Sequence, residues 1–421
     1  MKKLLALALA FAMVFAICTV AHADDKVHMV IACNSSDDTR IAILDRLAKN
    51  LPEDLPEYDV EIIYGGGGVE YENMMKTYNA TGDLPDVYGS LNTIAAPLIA
   101  SGSQLNLTEY IKADGFDQNF LSLDPMYYHG GIYSIQTGDD AYTIPVVFYD
   151  TAIFESLGLE EPTTWEELDH IFDVLIEAGI QPMGMDGTGW QLVNFFMESL
   201  MLADDPSTVT QLLNNETDWN DPRVNAAYDK MEYMLEKGVF GDRAAVAATA
   251  DVALAWDTFA ADGCAMLFDF SWNCQNYDNG HTGVFMWPSS NSEYPTGSCT
   301  EVWGSAVGGW AVNANSEHLE DAVKLAEYCC KEASEYMNEN GTKTNFVTDV
   351  EVAPQSELQA EIWKLYDEAV NKFQALNANS IDSSIVTELR TLDSGLVGGL
   401  YTVDEMLAKW SALYAENTYF D

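Results

Sequence analysis

Lys26-Val27-His28-Met29-Val30-Ile31-Ala32-Cys33 is rich in β-formers and runs into a polar turn, Asn34-Ser35-Ser36-Asp37-Asp38. A helical stretch follows from about Thr39 to Asn50. Tyr58 to Tyr64 reads as a second strand and ends in Gly65-Gly66-Gly67-Gly68. A second helix, from about Glu70 to Asn79, leads to a short third strand in Leu84-Pro85-Asp86-Val87-Tyr88. Strand and helix alternate, and strands joined through helices pair side by side in one direction, so the pattern predicts a parallel α/β sheet. The glycine run lacks the lysine of a phosphate-binding loop and reads as a flexible turn.

Beyond this stretch, two helices are well marked. Thr164 opens one, with Glu167 three residues on as a capping box, and Trp165, Leu168, Ile171, Phe172, Leu175 and Ile176 follow at helical spacing until Gly179. The other carries Leu319, Ala322, Val323, Ala326, Cys330 and Ala333 on one face. A further capping signal, Thr402 to Glu405, opens a C-terminal helix bearing Leu407, Trp410 and Leu413. There is no internal repeat and no low-complexity linker. A chain of 421 residues suits two or three domains. Without a linker, those domains are expected to be lobes tied by several crossovers.

Hydrophobic residues make up 48% of the chain, which is enough for packed cores. With 19 basic and 67 acidic residues the formal net charge is -48. Such a surface repels phosphate backbones and anionic membranes, so nucleic acid is not an expected partner. The acid has two readings: it keeps an exported protein soluble, or it draws in a cationic ligand. Carboxylates spread along the whole chain favour the first.

The N-terminus reads as a targeting segment. Lys2 and Lys3 precede an apolar run from Leu4 to Val20, and Ala21-His22-Ala23 places small residues where a signal peptidase reads them. Cleavage after Ala23 is the expectation; retention as an uncleaved anchor is the competing reading. Cys18 raises lipidation, but Phe15-Ala16-Ile17 ahead of it fits a lipobox poorly. Six cysteines remain: Cys33, Cys264, Cys274, Cys299, Cys329 and Cys330. They permit disulfides in any of 15 connectivities. Cys329 and Cys330 are neighbours on a predicted helix and read as small core residues. No His/Cys spacing suggests a metal, and no cofactor is expected.

The order of motifs resembles the extracellular solute-binding family that serves carbohydrate ABC importers, the relatives of maltose-binding proteins. Four stretches carry it: Thr81-Gly82-Asp83-Leu84-Pro85-Asp86-Val87; Tyr142-Thr143-Ile144-Pro145 through Trp165-Glu166-Glu167-Leu168; Phe259 through Met266 with Phe270-Ser271-Trp272; and Gly308-Gly309-Trp310-Ala311-Val312. A weaker fifth is Asp221-Pro222-Arg223-Val224. The segment between Pro145 and Tyr149 is several residues shorter than the family pattern, in a region that usually lines the cleft. The resemblance implies a type II periplasmic-binding-protein fold, two α/β lobes with a hinge and an interlobe ligand cleft. It implies chain crossings near Thr143–Val147, Trp287–Ser290 and Asn340–Val350. The lobes would be 24–143 plus 290–340 and 144–289 plus 341–421, after a signal peptide at 1–23. The implied function is capture of a sugar or oligosaccharide for ABC permease transmembrane subunits, with no catalysis.

Sugars present flat C–H faces ringed by hydroxyls, which call for aromatic platforms and for planar amides and carboxylates. Trp190, Trp272, Trp303 and Trp310 sit in turn-like, glycine- or serine-flanked stretches. Trp272 and Trp310 match family positions that commonly touch ligand. The alternative for each tryptophan is packing, which is the reading of Trp165, Trp256, Trp363 and Trp410 on helical faces. Candidate polar contacts are Asp37 in the first strand–helix turn and Asn92 after the third strand, because α/β sheets bind ligands beyond the carboxyl ends of their strands. Asp37 reads equally as a helix cap. Glu70 and Asp269 complete the set as weaker candidates.

Other classes read less well. Paired carboxylates would suit a glycoside hydrolase but are plentiful here, and no nucleophile elbow, zinc helix or nucleotide loop appears. The same fold could hold a polyamine or other cation between carboxylates and aromatics.

Overall fold

The computed structural model describes residues 26–35, 38–123, 126–135, 144–192, 196–213, 216–249, 253–291, 293–302, 307–374 and 383–416. The leader, Asp37 and Trp303 therefore lie outside the described residues.

The opening alternation forms as expected. Strands β1 (Val27–Cys33), β2 (Tyr58–Tyr64) and β3 (Val87–Ser90) pair in parallel in the order β2-β1-β3. The helices between them are Asp38–Asp54 and Gly68–Thr81. A fourth strand closes the sheet from far along the chain. β9 (Gly309–Val312) runs antiparallel to β3, with Gly309 opposite Ser90.

Both faces of the inner strands are covered, whereas the edge strand β2 is largely exposed or half-buried and carries Asp59 and Glu61. On one face Met29, Ile31 and Val312 pack with Leu44 and Leu47 of the first helix and with Ala326 and Cys330 of the helix Leu319–Glu339. On the other, Ala32, Tyr88 and Ala311 meet Tyr71, Met75 and Leu98. The predicted face of Leu319–Glu339 is the buried one, and Cys329 joins Cys330 in the core. Arg46 fastens the two outer helices together, reaching Glu332 at 2.9 Å, Glu335 at 3.1 Å and Glu339 at 2.7 Å.

The glycine run is held rather than free. Gly65 donates to the Cys33 carbonyl at 2.8 Å, Gly66 donates to Ser35 Oγ at 3.0 Å, and a Cβ on Gly65 would come within 2.2 Å of the Tyr71 ring. Close packing selects glycine at position 65, and the left-handed φ of +75° favours it at position 66.

The second lobe is built on β4 (Pro145–Asp150), β5 (Met183–Gly184), β6 (Met266–Phe270) and β7 (Thr282–Phe285), in the order β5-β6-β4-β7. Here the parallel expectation holds only for β5 and β6. β4 runs against β6 and β7, with Pro145 opposite Phe270. The chain enters β4 at the end where β6 leaves the sheet, so the two strands oppose. All six residues of β4 are buried. Val147 and Tyr149 face a core shared with the helices Trp165–Glu177, Pro222–Lys237 and Val403–Tyr414. Val146 and Phe148 face a second core roofed by Ala253–Ala260 and Glu357–Glu368. Each fully buried Phe or Leu here contributes roughly 1.5–3 kcal/mol relative to exposure. A two-stranded parallel pair, β8 (Cys299–Val302) with β10 (Asn371–Gln374), lies outside both sheets.

The caps differ from the reading in one respect. At Thr402 the box is reciprocal, with Glu405 returning to the Thr402 amide at 3.1 Å. At Thr164 the hydroxyl accepts from the Glu167 amide, but the Glu167 carboxylate reaches back one residue further, to Thr163 N at 2.7 Å and Thr163 Oγ1 at 2.8 Å. Those two bonds hold its carboxyl below the usual glutamate range.

Candidate functional site

Both lobes place the carboxyl ends of their parallel strands at one edge, where open α/β sheets bind ligands. In the first lobe that edge carries a pocket. Cys33 and Asn34 end β1, Gly89, Ser90 and Leu91 end β3, Gly309 and Trp310 begin β9, and Arg40, Ile43 and Leu44 come from the first helix. Gly89 must be glycine, since a Cβ would meet Cys33 Sγ at 2.6 Å. Its carbonyl accepts from Tyr71 Oη at 2.6 Å. Ser90 is held by Gln104, whose amide donates to Ser90 Oγ at 3.4 Å and to the Tyr133 carbonyl at 2.9 Å. Buried Asn34 and Ser90 and cationic Arg40 thus stand beside the apolar Leu44 and Trp310, a mixture suited to a molecule with both hydroxyls and C–H faces.

Trp310 lies on β9 with its ring 3% exposed, packed in the first lobe's core while also lining this pocket. Its backbone exchanges bonds with Ile135 at 2.7 and 2.8 Å. Its indole N–H is buried with no hydrogen-bond partner among the described residues. Asn92 is the first residue of the helix Asn92–Ala100, directly after Leu91 at the pocket rim. Glu70 is exposed in the first turn of Gly68–Thr81 and folds over Gly66 at the end of β2.

In the second lobe the corresponding edge is aromatic. Trp272 follows β6 on a single 3₁₀ turn, Ser271–Asn276, and is 44% exposed. Its ring lies stacked along Phe270 at 6.4 Å and meets Trp256 edge-on at 5.7 Å. Trp190 closes the group, edge-on to Trp256 at 6.1 Å and to Phe270 at 6.2 Å. The turn carrying Trp190 is fixed by buried Asp186, which accepts from Thr188 N at 2.6 Å and Gln191 N at 3.2 Å, while Gln191 Oε1 accepts from Asp186 N at 2.8 Å. Gly189 there has φ +73° and leaves no room for a side chain against the Arg390 carbonyl.

Asp269, one residue before Phe270 on β6, is fully buried at 0% exposure. One carboxylate oxygen, Oδ2, accepts from Tyr277 Oη at 2.6 Å and from Asn273 Nδ2 at 2.8 Å. Burial pushes its carboxyl up to about 6, against the lowering effect of those two donors. The Trp256 N–H is near enough to favour the charged form without making a formed bond. Ser271 is tied to the chain just before β4: its amide donates to the Ile144 carbonyl at 2.9 Å and its hydroxyl accepts from Ile144 N at 3.1 Å.

The sequence candidates thus fall into two groups. Trp190 and Trp272 each pack against Trp256 and Phe270, Trp310 lines the first-lobe pocket, and Asn92 follows the lining residue Leu91 in the chain. Sequence reasoning passed over Asn34, Arg40 and Ser90, and it left Trp256 as packing. Asn34 could have been found as the residue after β1, but Trp256 joins the rings only through the packing of its helix on β5 and β6. Among the described residues one His/Asp group converges, His281 at 3.8 Å from both Asp150 and Asp262. It lies at the far end of β4 from the rings, and Asp150 there caps the helix Thr151–Leu157. Cys264, Cys274, Cys299 and Cys329 are free thiols, with Cys264 pushed up to about 12 and Cys274 to about 11 by burial.

A probable sugar-binding periplasmic protein of Rhizobium meliloti is 26% identical over 178 residues, 42% of either chain. The chain thus matches about two fifths of the length of that relative. Solved structures are similar over the whole fold. A chitin oligosaccharide binding protein aligns with TM-score 0.73 and 19% identity, covering 93% of this chain and 99% of the other. An ABC substrate-binding protein from Listeria monocytogenes, in complex with cycloalternan, aligns with TM-score 0.69 and 16% identity over 94% and 100%. These alignments and the two mixed sheets establish the two-lobed type II periplasmic-binding fold. Residues 40–335 match the family described as bacterial extracellular solute-binding protein, and the chain belongs to that family.

Proposed function

We propose that this protein is the extracytoplasmic receptor of an ABC importer, which captures a sugar or oligosaccharide between its lobes and delivers it to membrane permease subunits without chemical change. The observation that carries this reading is the half-exposed Trp272, backed by Phe270, Trp256 and Trp190 at the carboxyl edge of the second sheet. An aromatic face of that kind matches the C–H face of a pyranose. Relatives named as sugar-binding, and structural neighbours that hold oligosaccharides, support the same ligand class. Asn34 and Ser90 supply hydroxyl contacts from the first lobe and Trp310 forms the pocket wall, while Asp37, Asn92, Glu70 and Trp303 stay candidate contacts on the sequence reading. The lobes are 24–143 with 290–340 and 144–289 with 341–421; the packing of Phe346 against Phe116 and Phe120 carries the third crossing a few residues further. The chain is exported, its leader removed after Ala23.

A thermal-shift panel of malto-, xylo- and chito-oligosaccharides, with spermidine as the cationic arm, tests the ligand class. A ligand that binds only the folded state raises the midpoint by mass action, about 2.7 kcal/mol at a hundredfold excess over Kd. A rise with a sugar is expected. A rise with spermidine alone overturns the carbohydrate reading in favour of a polyamine.

A further inference from the structure

We propose that Asp269 is a positioning residue for the ligand platform, holding Trp272 at one angle through a hydrogen-bonded box across the turn that carries it. The inference rests on reading Trp272 as the platform. Trp272 stands on a turn of only six residues, Ser271–Asn276. Backbone hydrogen-bond geometry is poorer in a 3₁₀ helix and runs beyond three or four residues are uncommon, so one of six gains from outside support. The support comes from one buried carboxylate oxygen. Asp269 Oδ2 accepts from Asn273, one residue past Trp272, and from Tyr277, just beyond the turn. Asn273 also donates to Tyr277 Oη at 2.9 Å and accepts from Asn276 at 2.5 Å, which completes the box. Tyr277 is itself anchored in the core by Phe148 at 4.9 Å and Phe259 at 5.4 Å. The turn is thus pinned at its far end to Tyr277 and at its near end to Ile144, with Trp272 between the two pins.

A buried carboxylate is costly compared with an apolar residue of the same size, so its stabilising value is small and its geometric value large. Its position fits that role. Asp269 is the one polar residue of the strand Met266–Phe270, and an apolar side chain there could not accept from Asn273 and Tyr277.

The test needs no ligand. Trp272 and Trp256 sit edge-on at 5.7 Å, close enough for their transitions to couple and to contribute to the near-UV circular dichroism. The Trp272 contribution is the difference between wild type and Trp272→Phe. Asp269→Ala is expected to lose at least half of it, whereas Asp269→Asn, which keeps an oxygen for Tyr277 and Asn273, retains most. An intact contribution in Asp269→Ala overturns the proposal, because a role confined to stability would lower the midpoint and leave the angle unchanged. Should Asp269→Ala not fold, Asn273→Ala takes its place, and an intact contribution there overturns the proposal as well.

Binding separates this inference from the one beneath it. With maltotriose, xylotriose or chitotriose, whichever the panel shows to bind, Asp269→Ala is expected to raise Kd by about the same factor as Trp272→Ala. The double variant should go no further, since both changes remove one contact. Full additivity overturns the positioning role. An unchanged Kd in Trp272→Ala removes the platform reading, while the dichroism still decides what Asp269 does.

Discussion

Trp272 and Trp310 stand at matching places, each beside the carboxyl edge of its lobe's parallel strands, and the two edges use them in opposite ways. Trp310 is a wall: its ring fills the core between sheet and helices, and only its margin reaches the pocket. Trp272 is a shelf, carried on a turn beyond the strand and backed by other rings. The first edge therefore offers a shaped hollow with small polar groups, and the second offers a flat apolar face. A sugar has one complement for each, hydroxyls for the hollow and ring hydrogens for the face.

Four measurements break or sharpen this contrast, in falling order of effect. Trp310→Ala should lower stability by about 3–5 kcal/mol, the usual cost of emptying a core of an aromatic. A ligand-free thermal midpoint close to wild type would make the two tryptophans alike. Next, the second lobe holds two fully buried acids, Asp393 and Asp269. Asp393, which accepts from Trp410 Nε1 at 2.9 Å, is raised to about 8 by burial, and Asp269 is raised to about 6. A raised carboxyl binds its proton more tightly in the folded state than in the unfolded one. Stability therefore falls as pH rises from about 4 to about 8, by roughly 2–4 kcal/mol at neutral pH once relaxation around the buried acids is allowed for. Denaturant midpoints at pH 5 and pH 8 check this, and Asp393→Asn should flatten the slope; a flat wild-type profile contradicts it. Trp272→Ala should weaken sugar binding by about 1–3 kcal/mol, the worth of one large apolar face, with a near-native midpoint. A collapsed midpoint would make Trp272 a wall as well. The smallest effect is on shape: saturating ligand should draw the two edges together and slightly reduce the radius of gyration in solution scattering, and an unchanged profile would count against closure.

The elements were legible because their signals are local. The strand–helix alternation of β1 to β3, the caps at Thr164 and Thr402, and the buried stripe of Leu319–Glu339 each depend on residues within a few positions. Trp272 and Trp190 were legible as turn tryptophans. Their company was not. Residues 190, 256, 270 and 272 meet only because β5 pairs with β6 and the helix Ala253–Ala260 packs on both, which no periodicity states. The burial of Trp310 escaped for a similar reason: its flanking glycines suggest an open turn, whereas pairing with β3 and Ile135 turns the stretch into an inner strand. The antiparallel entry of β4 depends on which end of the sheet the chain arrives at, again a global property.

The strand β9 has a consequence for how the chain folds. Residues 309–312 complete a sheet begun at residue 27, and the helix that covers it comes later still. A ribosome therefore releases three strands and their helices long before their last partner exists. Contacts so far apart in sequence slow folding, because the long loop must close before they reward it. For an exported chain that delay is useful. The first lobe's sheet is incomplete until residue 312 has been made, so its last strand pairing waits for most of the polypeptide.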